Sequence, residues 1–539
     1  MSENLPAPEE PDLRKESPWA PLRAPTFRML WLVWLASNTC MWMNDVAAAW
    51  LMTSLTSSPT LIALVQTASS LPVFLLGLPS GAFADILDRR RYFMVTQFWI
   101  ATTAAVLYVF ALLGHITAPV LLALVFANGI GLAMRWPVYS AILPEVVPRR
   151  QLGEALALNA VAVNTSRVIG PLLAGAIIAG AGTEYVFALN FVVSIMAGIV
   201  LFKWKRETKP SVLPGERFIG AMRLGFQYAR ESRRLRSALV RTAFFFLHST
   251  AIFALLPLVA KRLGGGAGAQ TYTLLLSSLG VGAIFAATQL PRLRSRWNRD
   301  QVALGGSVLN AFGIAVLAYA PDTWIAAAGM VLAGAAWIMV ANSVTIAAQL
   351  ALPDWIRARG MAIYQMSIMG GAALGAFIWG KLAELTSVPT SLAVCAVSMV
   401  VALIFTRGRT LEGAEDHTPT HPWDEPVPEI PIALDEGPVM VTVEYMVDPS
   451  RAAEFEQLMA ESRSARLRAG AVSWGLFEDL ERPARFVEYF ACETWADYLR
   501  RFDRFTAADE ALHKRRHAFH IAEHPPRISR FIARHPPSR

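Results

Sequence analysis

The sequence predicts an all-α polytopic membrane protein, with twelve transmembrane helices in two repeats of six and a small α+β unit of ferredoxin-like order at the C-terminus. Three observations carry that prediction. Only 17% of the 539 residues are charged and 54% are hydrophobic, whereas a soluble chain carries about a quarter charged residues. Apolar stretches of roughly 19 to 28 residues recur twelve times, each long enough to cross about 30 Å of hydrocarbon. Beyond residue 437 that pattern stops, and short strands alternate with amphipathic helices. A mean hydropathy of +0.39 excludes a soluble multidomain enzyme, a disordered protein and a nucleic-acid factor. The formal net charge of +8 resides between the apolar runs, which is a topology signal and not a sign of an RNA or DNA partner. Cys40, Cys395 and Cys492 stand far apart without metal spacing, so no disulfide, metal or bound cofactor is expected.

Taken in order, residues 1–25 form a polar, proline-rich tail with acids ahead of any apolar run, unlike a cleavable signal. A first bundle over 26–202 holds spans near 27–53, 60–84, 93–114, 119–141, 155–180 and 184–202. A loop over 203–236 follows, in which Phe218, Met222, Phe226 and Tyr228 among basic residues predict an amphipathic helix lying on the inner leaflet. The second bundle over 237–406 holds spans near 237–259, 268–290, 302–320, 323–350, 361–383 and 388–406. Loops on one side carry Arg89, Arg90, Arg91, Arg149, Arg150, Arg292, Arg294, Arg296, Arg299, Arg357, Arg359 and the basic residues of 203–236. Opposite loops carry only Lys261, Arg262 and Lys381, so the basic side, with both termini, is expected to be cytoplasmic. A gapless shift of 205 residues superposes the halves: Gly77 falls on Gly282, Arg89 on Arg294, Gly129 on Gly334, Gly170 on Gly375 and Gly175 on Gly380. Parallel six-helix repeats with a central site near the midplane are one transporter architecture. Residues 407–436, rich in proline and acids, predict a stiff linker. Residues 437–539 then read as strand, helix, a hairpin turning at Glu481–Pro483, a helix centred on Trp495, and a last strand at 527–533.

The loop after the second span reads Gly81-Ala-Phe-Ala-Asp85-Ile-Leu-Asp88-Arg89-Arg90-Arg91. It resembles the signature loop of the major facilitator superfamily, in the branch of the enterobactin exporter, macrolide efflux proteins and transmembrane secretion effectors. Gly81, Asp85, Arg89 and Arg90 match the pattern, while Ile86 and Asp88 depart from it. The resemblance implies that Gly81 lets the second and eleventh spans approach, that Asp85 pairs with Arg357 or Arg359, and that the cluster latches the cytoplasmic side of a bacterial inner-membrane protein. Arg167-Val-Ile-Gly170-Pro171-Leu-Leu-Ala-Gly175 resembles part of the antiporter signature, with Ser166 and Ala174 where glycine is usual. That likeness favours export over import. Residues 438–535 look like the antibiotic-biosynthesis-monooxygenase type of dimeric α/β barrel. Some members of that type oxidise polyketides without a cofactor and others bind haem. Here His513, His517 and His520 lie in a strongly basic stretch and read as solvated, and the domain is expected to dimerise the chain.

Ionisable residues inside spans are costly and mark function. Asp45, in the first span, is the only acid well inside an apolar segment and the candidate to take up and release a proton. Asn38 and Asn44 stand near it as hydrogen-bond donors to the acid or to substrate. Arg135 and Arg167 need partners; either binds an anionic substrate or reaches the cytoplasmic surface, the second being the preferred reading for Arg135. His248 reads as a hydrogen-bonded packing histidine, and Trp42, Trp50, Trp136, Trp337 and Trp379 as cavity, packing or interface residues. No GxxxxGK[ST] loop occurs, so ATP is not expected to drive the protein. The sequence therefore predicts a non-enzymatic, proton-coupled exporter of small amphipathic molecules such as siderophores, antibiotics or secondary metabolites. The alternatives are a membrane-anchored oxygenase working through its C-terminal domain, and an importer.

Overall fold

A computed structural model describes residues 17, 19–148, 151–204, 218–413, 416–420 and 426–534. The predicted N-terminal tail up to 16, the basic Arg149 and Arg150, residues 205–217 and the linker stretch 421–425 lie outside the described residues. Twelve long helices stand where apolar runs predict them. They are α1 (Pro25–Leu55), α2 (Pro59–Ile86), α3 (Arg89–Leu112), α4 (Ala118–Val146), α5 (Leu152–Gly180), α6 (Thr183–Lys203), then, after α7 (Phe218–Glu231), α8 (Arg233–Gly264), α9 (Gly268–Arg294), α10 (Arg299–Tyr319), α11 (Thr323–Leu350), α12 (Arg357–Leu385) and α13 (Val388–Thr406). Eleven of them are long and apolar enough to cross a membrane. The exception, α1, has the length at 31 residues, but its Asn38, Asn44 and Asp45 lower its apolarity. Polar caps set several starts: Ser58, Asp88, Asn298, Asp322 and Ser387 each accept a backbone N–H of the following helix. Ser232 does the same for α8, which therefore begins at Arg233, inside the predicted loop.

The 205-residue offset is visible in the packing. A Cβ on Gly170 of α5 would stand 2.6 Å from Trp42 Cβ on α1, and the offset carries Trp42 onto Leu247 of α8, whose carbonyl blocks a Cβ on Gly375 of α12. Further along the same helices, Gly175 of α5 abuts Thr273 of α9, and Gly380 of α12 abuts Ala63 of α2. α5 thus meets the opposite half through α9 as α12 meets it through α2, the arrangement of a two-fold repeat. Such close helix contact needs small residues because packing, not hydrophobicity, joins helices in lipid.

The C-terminal unit has β1 (Val439–Met446), α14 (Ala452–Arg468), β2 (Ser473–Glu478), β3 (Arg485–Cys492), α15 (Trp495–Asp503), α16 (Ala507–His517) and β4 (Arg527–Ile532). The strands form one antiparallel sheet in the order β2-β3-β1-β4. Gly470, at φ +111°, ends the chain path out of α14 as expected. The second predicted helix is split in two. Thr506 and Asp509 form a reciprocal capping box that starts α16, and the T-x-x-D spacing for it was readable in the sequence.

The amphipathic helix α7 is not simply laid on a leaflet. Leu224 and Tyr228 are buried, Tyr228 Oη donates to Ala351 O at 3.0 Å, and the Tyr228 ring meets Trp355 edge-on at 5.9 Å. The opposite side of α7 holds the C-terminal unit through Arg223–Glu493 (2.5 Å), Gln227 Nε2–Ala471 O (2.6 Å) and Glu231, which pairs with Arg463 and accepts from Ser464. Arg504 stacks over Trp355 at 4.7 Å. A helix with one apolar face, tied by charge on the other, serves equally for lipid or for protein; here protein covers Leu224 and Tyr228 while Phe226 stays exposed.

Candidate functional site

The signature loop binds neighbouring helix ends on the basic side. Asp88 caps α3 by accepting from Arg91 N at 2.8 Å. Arg89 donates to Ala141 O (2.9 Å) and pairs with Glu145 (2.5 Å) at the end of α4. Arg90 reaches the Leu201 carbonyl (3.0 Å) and the Phe202 carbonyl at the end of α6. In the second half Arg294, the offset counterpart of Arg89, donates to Asn342 of α11, so both arginines bind the fourth helix of their own bundle. A Cβ on Gly81 would meet nothing within 4 Å; the close approach of α2 to α12 instead lies at Gly77, 3.2 Å from Met366, and at Gly370, 2.7 Å from Phe74. This corrects the expected role of Gly81: the crossing falls one turn deeper. Asp85 lies in the last turn of α2, level with the first turn of α12 where Arg357 and Arg359 stand, but its side chain lies outside those described.

Near the midplane the polar residues divide into two groups. Asn38 is wholly buried, donates to Trp34 O (2.7 Å) and accepts from Arg135 (3.4 Å). Arg135 is 1% exposed and also donates to Ser37 O (3.1 Å) beneath the Trp34 ring, so it is buried in the first bundle and does not reach the surface. The preferred sequence reading of Arg135 is thereby corrected: the Ser37 carbonyl, the Asn38 side-chain oxygen and an indole face replace water around it. Asn44 turns to α6, accepting from Asn190 at 3.4 Å. Among the described residues neither asparagine bonds to Asp45: helical spacing points residues 44 and 45 about 100° apart and sets Asn38 two turns, about 10 Å, from Asp45.

Asp45 and Arg167 face the seam between the halves. Asp45 accepts from Ser69 Oγ of α2 at 3.0 Å and is electrostatically coupled to Tyr272 of α9. Arg167 lies between the rings of Trp42 (5.5 Å) and Trp337 (5.4 Å), one indole from each half. Among the described residues, neither arginine forms an ion pair with Asp45. His248 packs as expected, Nδ1 lying 2.6 Å from Phe244 O and its ring on Trp379. Toward the side opposite the basic loops, the halves are joined. Lys261 of α8 donates to Thr53 O of α1, Trp50 stacks on Tyr272 at 5.5 Å, and Glu384 of α12 accepts from Ser58 (3.0 Å) and Thr60 (2.5 Å). The few cations of that side are therefore in use: Lys381 also bonds Glu384, and Arg262 donates to carbonyls at the end of α10.

The C-terminal unit has a buried ionic network that the sequence reading missed. Glu488 of β3 is fully buried and accepts from Arg466 (3.1 Å twice), Ser462 (3.0 Å), Trp474 (2.9 Å) and Tyr445 (3.3 Å). Burial raises its pKa, but Arg466 and Arg516 outweigh burial and hold it well below the usual carboxylate range. His513 is partly buried against His517, ring centroids 4.0 Å apart, and not solvated as expected. Burial and the neighbouring His517, Arg516 and Arg466 push its pKa down to about 3.

The transmembrane secretion effector family model matches residues 16–537, including the C-terminal unit. The chain is 22% identical over 280 residues to the staphyloferrin A transporter of Staphylococcus aureus, covering 51% of this chain and 69% of that protein. It is 24% identical over 221 residues to macrolide efflux protein A of Streptococcus pyogenes, covering 40% and 54%. The chain thus spans about half to two thirds of these curated relatives. Among solved structures, a POT family transporter in complex with 5-aminolevulinic acid superposes with a TM-score of 0.59 at 13% identity, covering 72% of this chain and 97% of that one, which establishes a shared fold.

Proposed function

The chain belongs to the transmembrane secretion effector family of the major facilitator superfamily, and from that premise we propose that it is a proton-coupled exporter of small amphipathic molecules working by alternating access. The observation that carries this reading is Asp45, an intramembrane acid held by Ser69 of its own half and coupled to Tyr272 of the other. An acid on the seam can exchange its proton with whichever side the halves expose. The basic side is read as cytoplasmic in a bacterial inner membrane, which makes the joined opposite end the closed outer gate. Bundles 26–202 and 237–406 are the rocking units, with Asp85, Asp88, Arg89, Arg90, Arg357 and Arg359 latching the cytoplasmic side and Gly170, Pro171 and Gly175 the α5 seam. The 437–539 domain is read as monooxygenase-like in fold and as a dimerisation module. The sheet face not covered by helices carries exposed Met440, Phe477 and Phe531, which suits a second copy of the same face. Its helix-covered interior holds the Glu488 network.

The test is proton-driven uptake into everted vesicles, screened over siderophores and hydrophobic drugs, with Asp45→Asn beside wild type. Wild type is expected to accumulate a compound when the vesicle interior is acidified, and Asp45→Asn to fall to the level seen without a gradient. Equal uptake by the variant removes Asp45 from coupling and leaves the exporter standing. No gradient-dependent uptake of any compound removes the exporter and favours import.

A further inference from the structure

Among the described residues, Arg167 is a cation on the seam without a matching anion. Its described surroundings are Trp42 of α1, Trp337 of α11 and Tyr364 of α12, whose hydroxyl is engaged with Thr345 at 2.8 Å. Asp45, the acid well inside a span, is bonded to Ser69 instead. The ring faces stabilise the positive charge but accept no N–H in the plane of the guanidinium. Three buried donors at this place, Arg167 Nε, Trp42 Nε1 and Trp337 Nε1, lack a hydrogen-bond acceptor among the described residues. A buried donor gains from an acceptor, and these three lie beside one cation that contacts an indole of each half, which makes the place a donor-rich cradle. Around it the surface is aromatic: Phe246 and Phe253 stand edge-on to Trp337 at 5.0 and 5.3 Å.

We propose that Arg167 and the indole N–H groups of Trp42 and Trp337 form a receptor for the carboxylate of an amphipathic, anionic substrate, whose apolar body lies along the aromatic wall. This rests on the exporter reading and names its substrate class. A carboxylate supplies two acceptor oxygens, one for the guanidinium and one for an indole N–H, and cancels a charge that a neutral compound leaves uncompensated. One indole belongs to each half, so the receptor is complete only while both halves close on Arg167. Rocking apart removes one donor and weakens the hold on the anion, which ties release to the motion.

The probes are dansylglycine and dansylglycinamide, which share a naphthalene body and differ in the carboxylate. Binding is read by dansyl fluorescence on the full chain in nanodiscs. Wild type is expected to bind the acid at least about tenfold more tightly than the amide. Arg167→Gln is expected to reduce that ratio to about one, and Arg167→Lys to keep part of it. Trp42→Phe and Trp337→Phe keep the ring but lose the N–H, and each is expected to weaken the acid about threefold and the amide less. A melting temperature equal to that of wild type shows separately that each variant is folded. Equal binding of acid and amide by wild type, binding of neither, or a preserved ratio in Arg167→Gln overturns the receptor. Vesicle uptake separates the two readings: gradient-driven transport without preference for anions sinks the receptor alone, and acid-selective binding without transport sinks the exporter alone.

Discussion

Glu488→Ala is expected to unfold the C-terminal domain while the membrane helices remain folded. The carboxylate is fully buried on β3 and is the shared acceptor of Arg466, Ser462, Trp474 and Tyr445, with Arg516 at 3.6 Å. Removing it leaves two buried guanidiniums, at 18% and 5% side-chain exposure, with no carboxylate between them. Breaking a buried pair from one side costs about 3–5 kcal/mol, a large share of the about 5–15 kcal/mol that holds a domain folded. The two arginines are not equivalent. Arg466 gains from its two-point contact and is held above its ordinary pKa, whereas burial and the nearby Arg466 charge lower that of Arg516. Glu488→Gln keeps shape and some hydrogen bonds, and should cost less. Replacing Glu488, Arg466 and Arg516 together by apolar residues of similar volume should recover much of the loss. Because pairing depresses the folded pKa of Glu488, its stabilisation is complete above the unfolded value of about 4.3 and disappears as pH falls through the lower folded value. Wild type should therefore keep its domain through mild acid and lose it only in stronger acid. Hydrogen exchange of peptides spanning 439–446 and 485–492 in the full chain reads both effects; unchanged protection in Glu488→Ala would show that the network is not what holds the sheet.

Why that network escaped the sequence reading is physical. In Phe486-Val487-Glu488-Tyr489-Phe490 the two-residue alternation places Glu488 on the same face as buried Phe486 and Phe490, so a core-facing acid was legible. Its partners were not, because Arg466 and Arg516 come from two different helices whose faces only the tertiary fold aligns. The membrane half shows the same division. Long apolar runs specify where helices are, and α1–α6 and α8–α13 follow them closely; a 205-residue self-match even anticipated that Gly170 and Gly375 share a role. Which polar side chains meet across helices was not specified by those runs. Arg135 found Ser37 O and Asn38 in place of the surface, and α7 found α12 and α14 along part of its length, since amphipathicity gives a face and no partner.

Gly170→Ala and Gly375→Ala are expected to lower the melting temperature of the detergent-solubilised chain and to do so by similar amounts. In an ordinary helix interior the change favours folding, by up to about 1 kcal/mol. At Gly170 the new methyl would stand 2.6 Å from Trp42 Cβ and 3.0 Å from Thr39 O. At Gly375 it would fall on the Leu247 carbonyl, with Thr250 beside it. Backbone cannot rotate aside as a flexible side chain can, so α5 must move off α1, and α12 off α8, with an overpacking cost of about 1–3 kcal/mol. Gly81→Ala is the internal control, since its methyl meets nothing within 4 Å and should leave melting unchanged or slightly raised. The comparison separates two meanings of a glycine in a motif. If Gly81→Ala melts normally but abolishes vesicle transport, the open space beside Gly81 is filled in another stage of the cycle, when α2 and α12 close further on the basic side. If it is normal in both, close approach at Gly77 and Gly370 is sufficient. Equal melting of all three variants and wild type would mean that the α1–α5 and α8–α12 seams yield without cost, and the shared geometry of the two halves would then carry no stability.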